Sequence, residues 1–192
     1  MLEQIKELRN RTHISMAKCK SAIEASNGNI EEAIKWLQKQ GFADTVKKAG
    51  NEAKEGILNT YVHMGKIAVL VEVNCETDFF SRSEEFKDFV DDICYQVVAT
   101  NPDYLSKEDV PVHVSAEQVH ILSEQMNNKI PENIKHKALA GKMDKWYGQR
   151  CLMQQESVSK SGKTLEELKA LLVSKSGENI IVKRFVRWTL GS

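Results

Sequence analysis

The fold is decided by the stretch ILNTYVHMGKIAVLVEVN, which runs from Ile57 to Asn74. Four apolar residues alternate along its second half: Ile67, Val69, Val71 and Val73. This repeat of two places their side chains on one face of a β-strand, because successive side chains in a strand point to opposite faces. Met64-Gly65-Lys66 divides the stretch into two runs. The sequence therefore predicts a β-hairpin with strands over 57–63 and 67–74.

A helix is predicted after the hairpin, over 83–100. Its apolar residues follow helical spacing: Phe86, Phe89, Val90, Ile93, Cys94 and Val97. We expect this helix to pack its aromatic stripe on the hairpin, because an amphipathic helix buries its apolar face. The segment over 180–190 is dense in β-branched and aromatic residues, which favour strands. We expect it to complete the same sheet.

Three further helices are predicted in the second half of the chain, over 115–128, 131–147 and 164–174. The second has a proline in its first turn, where proline is well tolerated. The third opens with the Thr-x-x-Glu capping box from Thr164 to Glu167. Together with the sheet, these helices predict an α+β core domain over 56–192, in which an antiparallel β-sheet packs with helices.

The N-terminal residues show three short amphipathic patterns. The first carries Leu2, Ile5 and Leu8, and the second starts at Met16 and stops at Asn27-Gly28, a left-handed stop signal. Asn29 can cap a third helix, which ends at Gly41. These patterns predict a three-helix bundle over 1–41. Residues 42–55, rich in Lys, Glu, Ala and Gly, are predicted to be a linker.

Charge and composition exclude several function classes. The 192 residues carry 27 Lys plus Arg and 27 Asp plus Glu, a balance that argues against nucleic-acid binding. No apolar run approaches the roughly 18 residues of a membrane helix, and the N-terminus lacks a signal-peptide pattern. The four cysteines form no CxxC pair and the five histidines no HExxH motif, so we expect no metal site. We expect a cytoplasmic protein in a reducing compartment.

The stretch NCETDFFSR, from Asn74 to Arg82, joins strand to helix and is predicted to be a surface loop. Its two adjacent phenylalanines allow two interpretations. One ring caps the core while Asp78 or Ser83 caps the next helix, or an aromatic and an acid are presented together to a partner. Physical reasoning from the sequence leaves both interpretations open.

Several motifs resemble one family. They occur in the right order along the chain: the opening IKELRNRT over 5–12, the run NGNIEEAIKWL over 27–37, the segment Glu76-Thr77-Asp78-Phe79, and the closing GENI and RFVR over 177–187. Each motif alone would be weak, but together they are highly specific. The chain resembles translation elongation factor Ts, the guanine nucleotide exchange factor for elongation factor Tu.

The resemblance implies a function without covalent chemistry. Asp78 and Phe79, with Thr77, match the residues that approach the switch region and magnesium site of the partner's G domain. Leu8 and Met16 match a contact patch for a helix of that domain, in an N-terminal bundle that would be ubiquitin-associated-like. No cofactor of the chain's own is implied, since magnesium and nucleotide belong to elongation factor Tu. In the family's Gly-rich turn, this chain reads THISMAKC over 12–19 and lacks both glycines.

The length implies an assembly. Longer members of the family duplicate the core, whereas residues 56–192 have room for one copy, which resembles the short form. In such members two chains supply what the duplicated core supplies in one. The resemblance therefore implies a homodimer that binds two molecules of elongation factor Tu. From the charge balance and the lack of a long apolar run we expect neither nucleic acid nor a membrane among its partners.

Two other function classes fit less well. A helical adaptor would use the three-helix bundle but would not need the additional core. An enzyme would need a catalytic constellation, but the adjacent acids Glu84-Glu85 and Asp91-Asp92 point to different parts of a helix surface. No phosphate-binding or nucleophile-elbow glycine motif is present in the sequence. Nucleotide release from a purified GTPase would distinguish the three classes.

Overall fold

The computed structural model describes residues 1–12, 14, 16–42, 51–126, 132–160 and 162–192. The helices and strands, in chain order, are α1 (Leu2–Thr12), α2 (Met16–Ala25), α3 (Ile30–Leu37), β1 (Glu55–His63), β2 (Ile67–Cys75), α4 (Asp78–Ser81), α5 (Glu84–Thr100), α6 (Val112–Gln125), α7 (Glu132–Arg150), α8 (Leu165–Ser176) and β3 (Ile181–Thr189). A π-helical turn over Gln38–Phe42 and 3₁₀ turns over Lys107–Asp109 and Leu152–Gln154 complete these elements. The fold is α+β, as the sequence predicts.

The three strands form one antiparallel sheet in the order β1-β2-β3. His63 pairs with Ile67 across the hairpin turn, which Met64 and Gly65 make with φ of 50° and 69°. The hairpin prediction is confirmed. So is the prediction for the C-terminal strand, since β3 pairs with β2 from Ile67–Thr189 to Asn74–Ile181.

The main core lies between the sheet and α5. One face of β2 contributes Val69, Val71 and Val73, and the helix covers them with an apolar stripe that includes Phe86 and Phe89. This packing confirms the prediction for residues 83–100. Helix α8 closes the core with Leu165 and Val173, and Thr164 and Glu167 form the predicted capping box at its start. The opposite face of the sheet exposes three large apolar side chains: Leu58, Val62 and Trp188.

The N-terminal bundle has a second, separate apolar cluster, which includes Ile5, Leu8, Cys19, Ile23 and Leu37. The side chain of Asn29 accepts hydrogen bonds from the backbone N–H groups of Glu31 and Glu32, which confirms it as the cap of α3. Helix α3 ends at Leu37, and the chain continues as a π-helical turn to Phe42, so the predicted end at Gly41 falls within that turn.

Some predicted boundaries need correction. Helix α6 begins at Val112, three residues before the predicted start, because Pro111 with φ of −56° already occupies the cap position. Helix α7 continues to Arg150, beyond the predicted end at Tyr147. Strand β1 starts at Glu55, inside the predicted linker. Some predicted segments lie outside the described residues: linker residues 43–50, residues 127–128 at the end of the helix predicted over 115–128, the helix start at Pro131, and residues 13 and 15.

Within the described residues, two ion pairs join the bundle to the core. The guanidinium of Arg9 lies 2.9 Å from the carboxylate of Glu108, and the ammonium of Lys18 lies 3.7 Å from that of Glu167. Beside the Arg9–Glu108 pair, α1 and α2 face α6 and α7 across a groove of about 880 Å³, which we call the bundle groove. In the described part of the chain, no helix combines the length and apolar character needed to cross a membrane.

Candidate functional site

The stretch from Asn74 to Arg82 is not simply a loop, because it contains the one-turn helix α4. Strand β2 ends at Cys75, and Thr77 is extended, with φ of −125° and ψ of 148°. Its hydroxyl accepts a hydrogen bond from the backbone N–H of Phe80 at 3.2 Å, which starts the turn. Ser83 then caps α5 by accepting from the N–H of Phe86. The predicted surface loop is therefore a capped helical turn.

The two phenylalanines of this turn have different environments. Phe79 is 85% exposed. Phe80 packs against the main core, and its ring meets that of Phe86 edge to face with centroids 5.3 Å apart. The first interpretation is confirmed, because Phe80 packs on the core and Ser83 caps the next helix. Phe79 projects from the surface, and its presentation to a partner stays a prediction.

Asp78 precedes Phe79 on the same exposed turn. Its carboxylate accepts a hydrogen bond from the guanidinium of Arg82 at 2.8 Å, and both side chains are mostly exposed. An ion pair in this setting contributes little to stability, about 0–1 kcal/mol. The ion pair with Arg82 therefore keeps the Asp78 carboxylate near Phe79 but adds little to the stability of the fold.

Two acids hold the start of α4 in place. Glu178 accepts from the backbone N–H of Thr77 at 3.1 Å and from its hydroxyl at 2.5 Å. Glu76 accepts from the backbone N–H of Asn179 at 2.6 Å and from the side-chain amide of Asn51 at 2.8 Å. The sequence analysis assigned neither acid a role of its own, because Thr77 and Asn179 lie 101 and 103 residues along the chain from the acids that bind them. The GENI motif was the available signal.

The other two candidate site residues, Leu8 and Met16, lie in the bundle. Leu8 is completely buried, so its side chain shapes the bundle from inside and presents no surface of its own. Met16 is half-buried and lines the bundle groove, together with Val110 and Tyr147 of the core side. The structure thus groups Thr77, Asp78 and Phe79 on one turn and places Leu8 and Met16 in the bundle.

Comparisons with known proteins agree with these motifs. The family model described as Elongation factor TS matches residues 2–192. The chain belongs to the elongation factor Ts family. It is 44% identical to elongation factor Ts of Caldanaerobacter subterraneus subsp. tengcongensis, covering 98% of this chain and 96% of the relative. It is 41% identical to elongation factor Ts of Thermodesulfovibrio yellowstonii, covering 98% and 95%.

Membership of the elongation factor Ts family defines the class of function. It implies a nucleotide exchange factor that acts with elongation factor Tu in translation elongation, rather than a catalyst of covalent chemistry. Such a factor needs a surface for its partner and no reacting group.

The four cysteines of this family member offer no reactive site. All four are free and buried. Burial raises the pKa of Cys19 and Cys75 to about 11 and that of Cys94 and Cys151 to about 12. The thiolate is the nucleophilic and metal-binding form, so these side chains are inert near neutral pH. Among the described residues, no group of three or more His, Cys, Asp or Glu is placed to hold a metal ion.

Proposed function

We propose that this chain releases GDP from elongation factor Tu by inserting Phe79 into the partner and bringing Asp78 to its magnesium site. The observation that carries the proposal is the 85% exposure of Phe79 on a turn that Thr77 caps and Phe80 anchors to the core. A large apolar side chain left in water costs free energy that burial in a partner recovers. Rigid aromatic anchors of this kind dominate interface energetics.

The rigidity of α4 favours Phe79 as a wedge. Thr77 caps the turn at one end, and Phe80 anchors it to the core beside Phe86. The backbone on both sides of Phe79 is thus ordered before the partner arrives. Little conformational entropy is then lost on binding, which raises affinity without any new contact.

Asp78 supplies the negative charge that would act on the magnesium ion of elongation factor Tu. Magnesium neutralises the nucleotide phosphates, so an acid that disturbs its water shell and hydrogen bonds weakens nucleotide binding. To reach the ion, Asp78 would leave Arg82, and this exposed pair costs little to break. The exchange would need no cofactor of the chain's own.

The bundle would provide a second contact. We infer that this ubiquitin-associated-like domain, residues 1–41, binds a helix of the partner's G domain through the surface around Met16. Met16 lines the bundle groove and is only half-buried, which supports a direct contact. Leu8 would act indirectly, since its complete burial positions α1 against α2 and α3.

We further propose a cytoplasmic homodimer that binds neither nucleic acid nor membranes. The outer face of the sheet supports pairing of two chains, because Leu58, Val62 and Trp188 are each more than 60% exposed there. An apolar sheet face of this kind is usually covered by a partner surface. A two-fold axis would let the same face of a second chain cover it.

The experiment that tests the proposed function is GDP release. Elongation factor Tu is loaded with a fluorescent GDP, and its release into excess unlabelled GDP is followed with and without this chain. We expect substoichiometric amounts of the chain to accelerate release. An unchanged release rate with folded protein at micromolar concentration would refute the proposed function and favour the adaptor class.

A further inference from the structure

Residues 76–77 and 178–179 hold each other by reciprocal hydrogen bonds. The side chain of Glu178 accepts from the backbone of Thr77, and the side chain of Glu76 accepts from the backbone of Asn179. The two segments are separated by 101 residues and meet where β2 leaves the sheet and β3 enters it. We call these four residues the crossed clamp.

Glu178 makes the larger contribution to α4. Both of its carboxylate oxygens are used on one residue, since Oε2 accepts from the N–H of Thr77 and Oε1 from its hydroxyl. A threonine hydroxyl has one proton to donate and lone pairs to accept with. Its proton is directed to Glu178, which leaves a lone pair for the N–H of Phe80. The acid thereby orients the hydroxyl that caps α4.

The backbone around Glu178 fixes the carboxylate in turn. Gly177 ends α8 in the left-handed region, with φ of 72°, and the N–H of Glu178 donates to the hydroxyl of Ser176. Asn179 is buried, and its side-chain amide donates to the backbone carbonyl of Asn51 at 2.8 Å. The acid that holds Thr77 is therefore itself held by the core.

We propose that Glu178 is a positioning residue for nucleotide exchange, which acts through Thr77 to set the orientation of Phe79. This inference rests on the proposed function, because it assigns a role within the same site. In this role Glu178 acts through its hydrogen bonds to Thr77 and needs no contact of its own with the nucleotide or the magnesium ion. Without it, Thr77 loses two charge-assisted hydrogen bonds, which are stronger than neutral ones. The turn then samples other orientations, and Phe79 is correctly placed in fewer of the bound complexes.

The kinetic signature separates positioning from binding. The other contacts with elongation factor Tu remain when Glu178 is changed, so the half-saturating concentration should change little. The maximal release rate should fall, because only the complexes in which Phe79 is correctly placed release GDP rapidly. We expect Glu178→Ala to lower the maximal rate by about tenfold or more, the factor that corresponds to loss of one hydrogen bond to a charged group.

Two further variants sharpen the assignment. Glu178→Gln keeps one acceptor oxygen and should give a rate between those of the wild type and Glu178→Ala. Thr77→Val removes the hydroxyl, so adding Glu178→Ala to it should cost less than Glu178→Ala costs alone. Glu117→Ala, which removes an exposed acid from α6, is the matched control for loss of charge and should release GDP at the wild-type rate.

Amide hydrogen exchange on the full chain tests the same inference without the partner. In Glu178→Ala, the amides of Thr77 and Phe80 should exchange faster, while that of Val71 in β2 keeps its protection. Unchanged protection at Thr77 and Phe80 would overturn the inference, and so would an unchanged maximal rate. If Glu178→Ala has a lower melting temperature than the wild type, Glu178→Gln is tested instead. Unchanged protection of the Thr77 and Phe80 amides, or an unchanged maximal release rate, in that variant would overturn the inference.

The two proposals fail in different ways. A wild-type chain that does not accelerate GDP release refutes the proposed function. Wild-type acceleration that is lost in Phe79→Ala but retained in a folded Glu178→Ala refutes only the positioning role.

Discussion

Phe79 and Phe80 are neighbours on one helical turn, but they face opposite environments. Phe79 is 85% exposed, whereas the ring of Phe80 lies 5.3 Å from that of Phe86, centroid to centroid, at the edge of the main core. Since residues adjacent in a helix point in directions about 100° apart, the turn can anchor itself with one ring and present the other. This division predicts that the two positions respond differently to the same substitution.

Phe80→Ala should destabilise the protein. The half-buried ring loses its contact with Phe86 and leaves a gap beside the core, which should lower the free energy of unfolding by about 2 kcal/mol. Denaturant unfolding of the two alanine variants measures the difference. Phe79→Ala is the matched control and should stay within about 0.5 kcal/mol of the wild type. Equal losses of stability in the two variants would contradict the division of roles.

Asp78→Asn should slow GDP release by less than the loss of Phe79 does. The change keeps the shape of the side chain and removes the charge that would disturb the partner's magnesium ion. Its effect should shrink as magnesium is lowered, because less metal remains to be displaced. Release rates across a magnesium titration measure this. Arg82→Ala is the control, since it breaks the ion pair of Asp78 but leaves the acid in place. A deficit independent of magnesium would count against the role of Asp78.

Changing the outer sheet face should separate the proposed dimer. We expect wild-type protein at micromolar concentration to sediment at about twice the chain mass of 21.8 kDa. Trp188 is 66% exposed in the single chain and would be buried in the proposed dimer. Trp188→Lys would place a charge in that interface, so the variant should sediment as a monomer. Leu171→Lys, an exposed position on α8, should leave the mass unchanged. A wild-type monomer that is fully active would disprove the dimer.

Deletion of residues 1–41 should weaken the binding of elongation factor Tu without unfolding the core. The bundle has its own apolar cluster, and the main core includes none of its residues. A tethered second contact acts at high effective concentration, so the half-saturating concentration for GDP release should rise about tenfold or more. The maximal rate should be largely kept, because α4 belongs to the core. Unchanged kinetics after the deletion would argue against the contact at Met16.

Sequence patterns predicted the parts of the fold that repeat over many residues. The alternation at Val69, Val71 and Val73 identified β2, and the stripe that includes Phe86 identified α5. Helix α4 was missed because four residues are too few for helical spacing to show. Its cap depends on the conformation of Thr77 and is visible only in the structure.

The candidate site was predictable to a different extent at each position. The resemblance named Asp78 and Phe79, and the structure shows that both are exposed. It also named Leu8, which is completely buried. Leu8 belongs to the apolar repeat of α1 that packs inside the bundle, so it forms no contact surface of its own. The GENI motif contains Glu178 but could not reveal its role, because its contact with Thr77 spans 101 residues and depends on how the sheet closes.

The most direct test of the wedge mechanism is GDP release from elongation factor Tu by Phe79→Ala, with its melting temperature measured alongside. Loss of a buried aromatic anchor costs about 2 kcal/mol or more, which corresponds to roughly thirtyfold. We predict a wild-type melting temperature and release slowed by about that factor. A folded Phe79→Ala protein that releases GDP at the wild-type rate would contradict the mechanism.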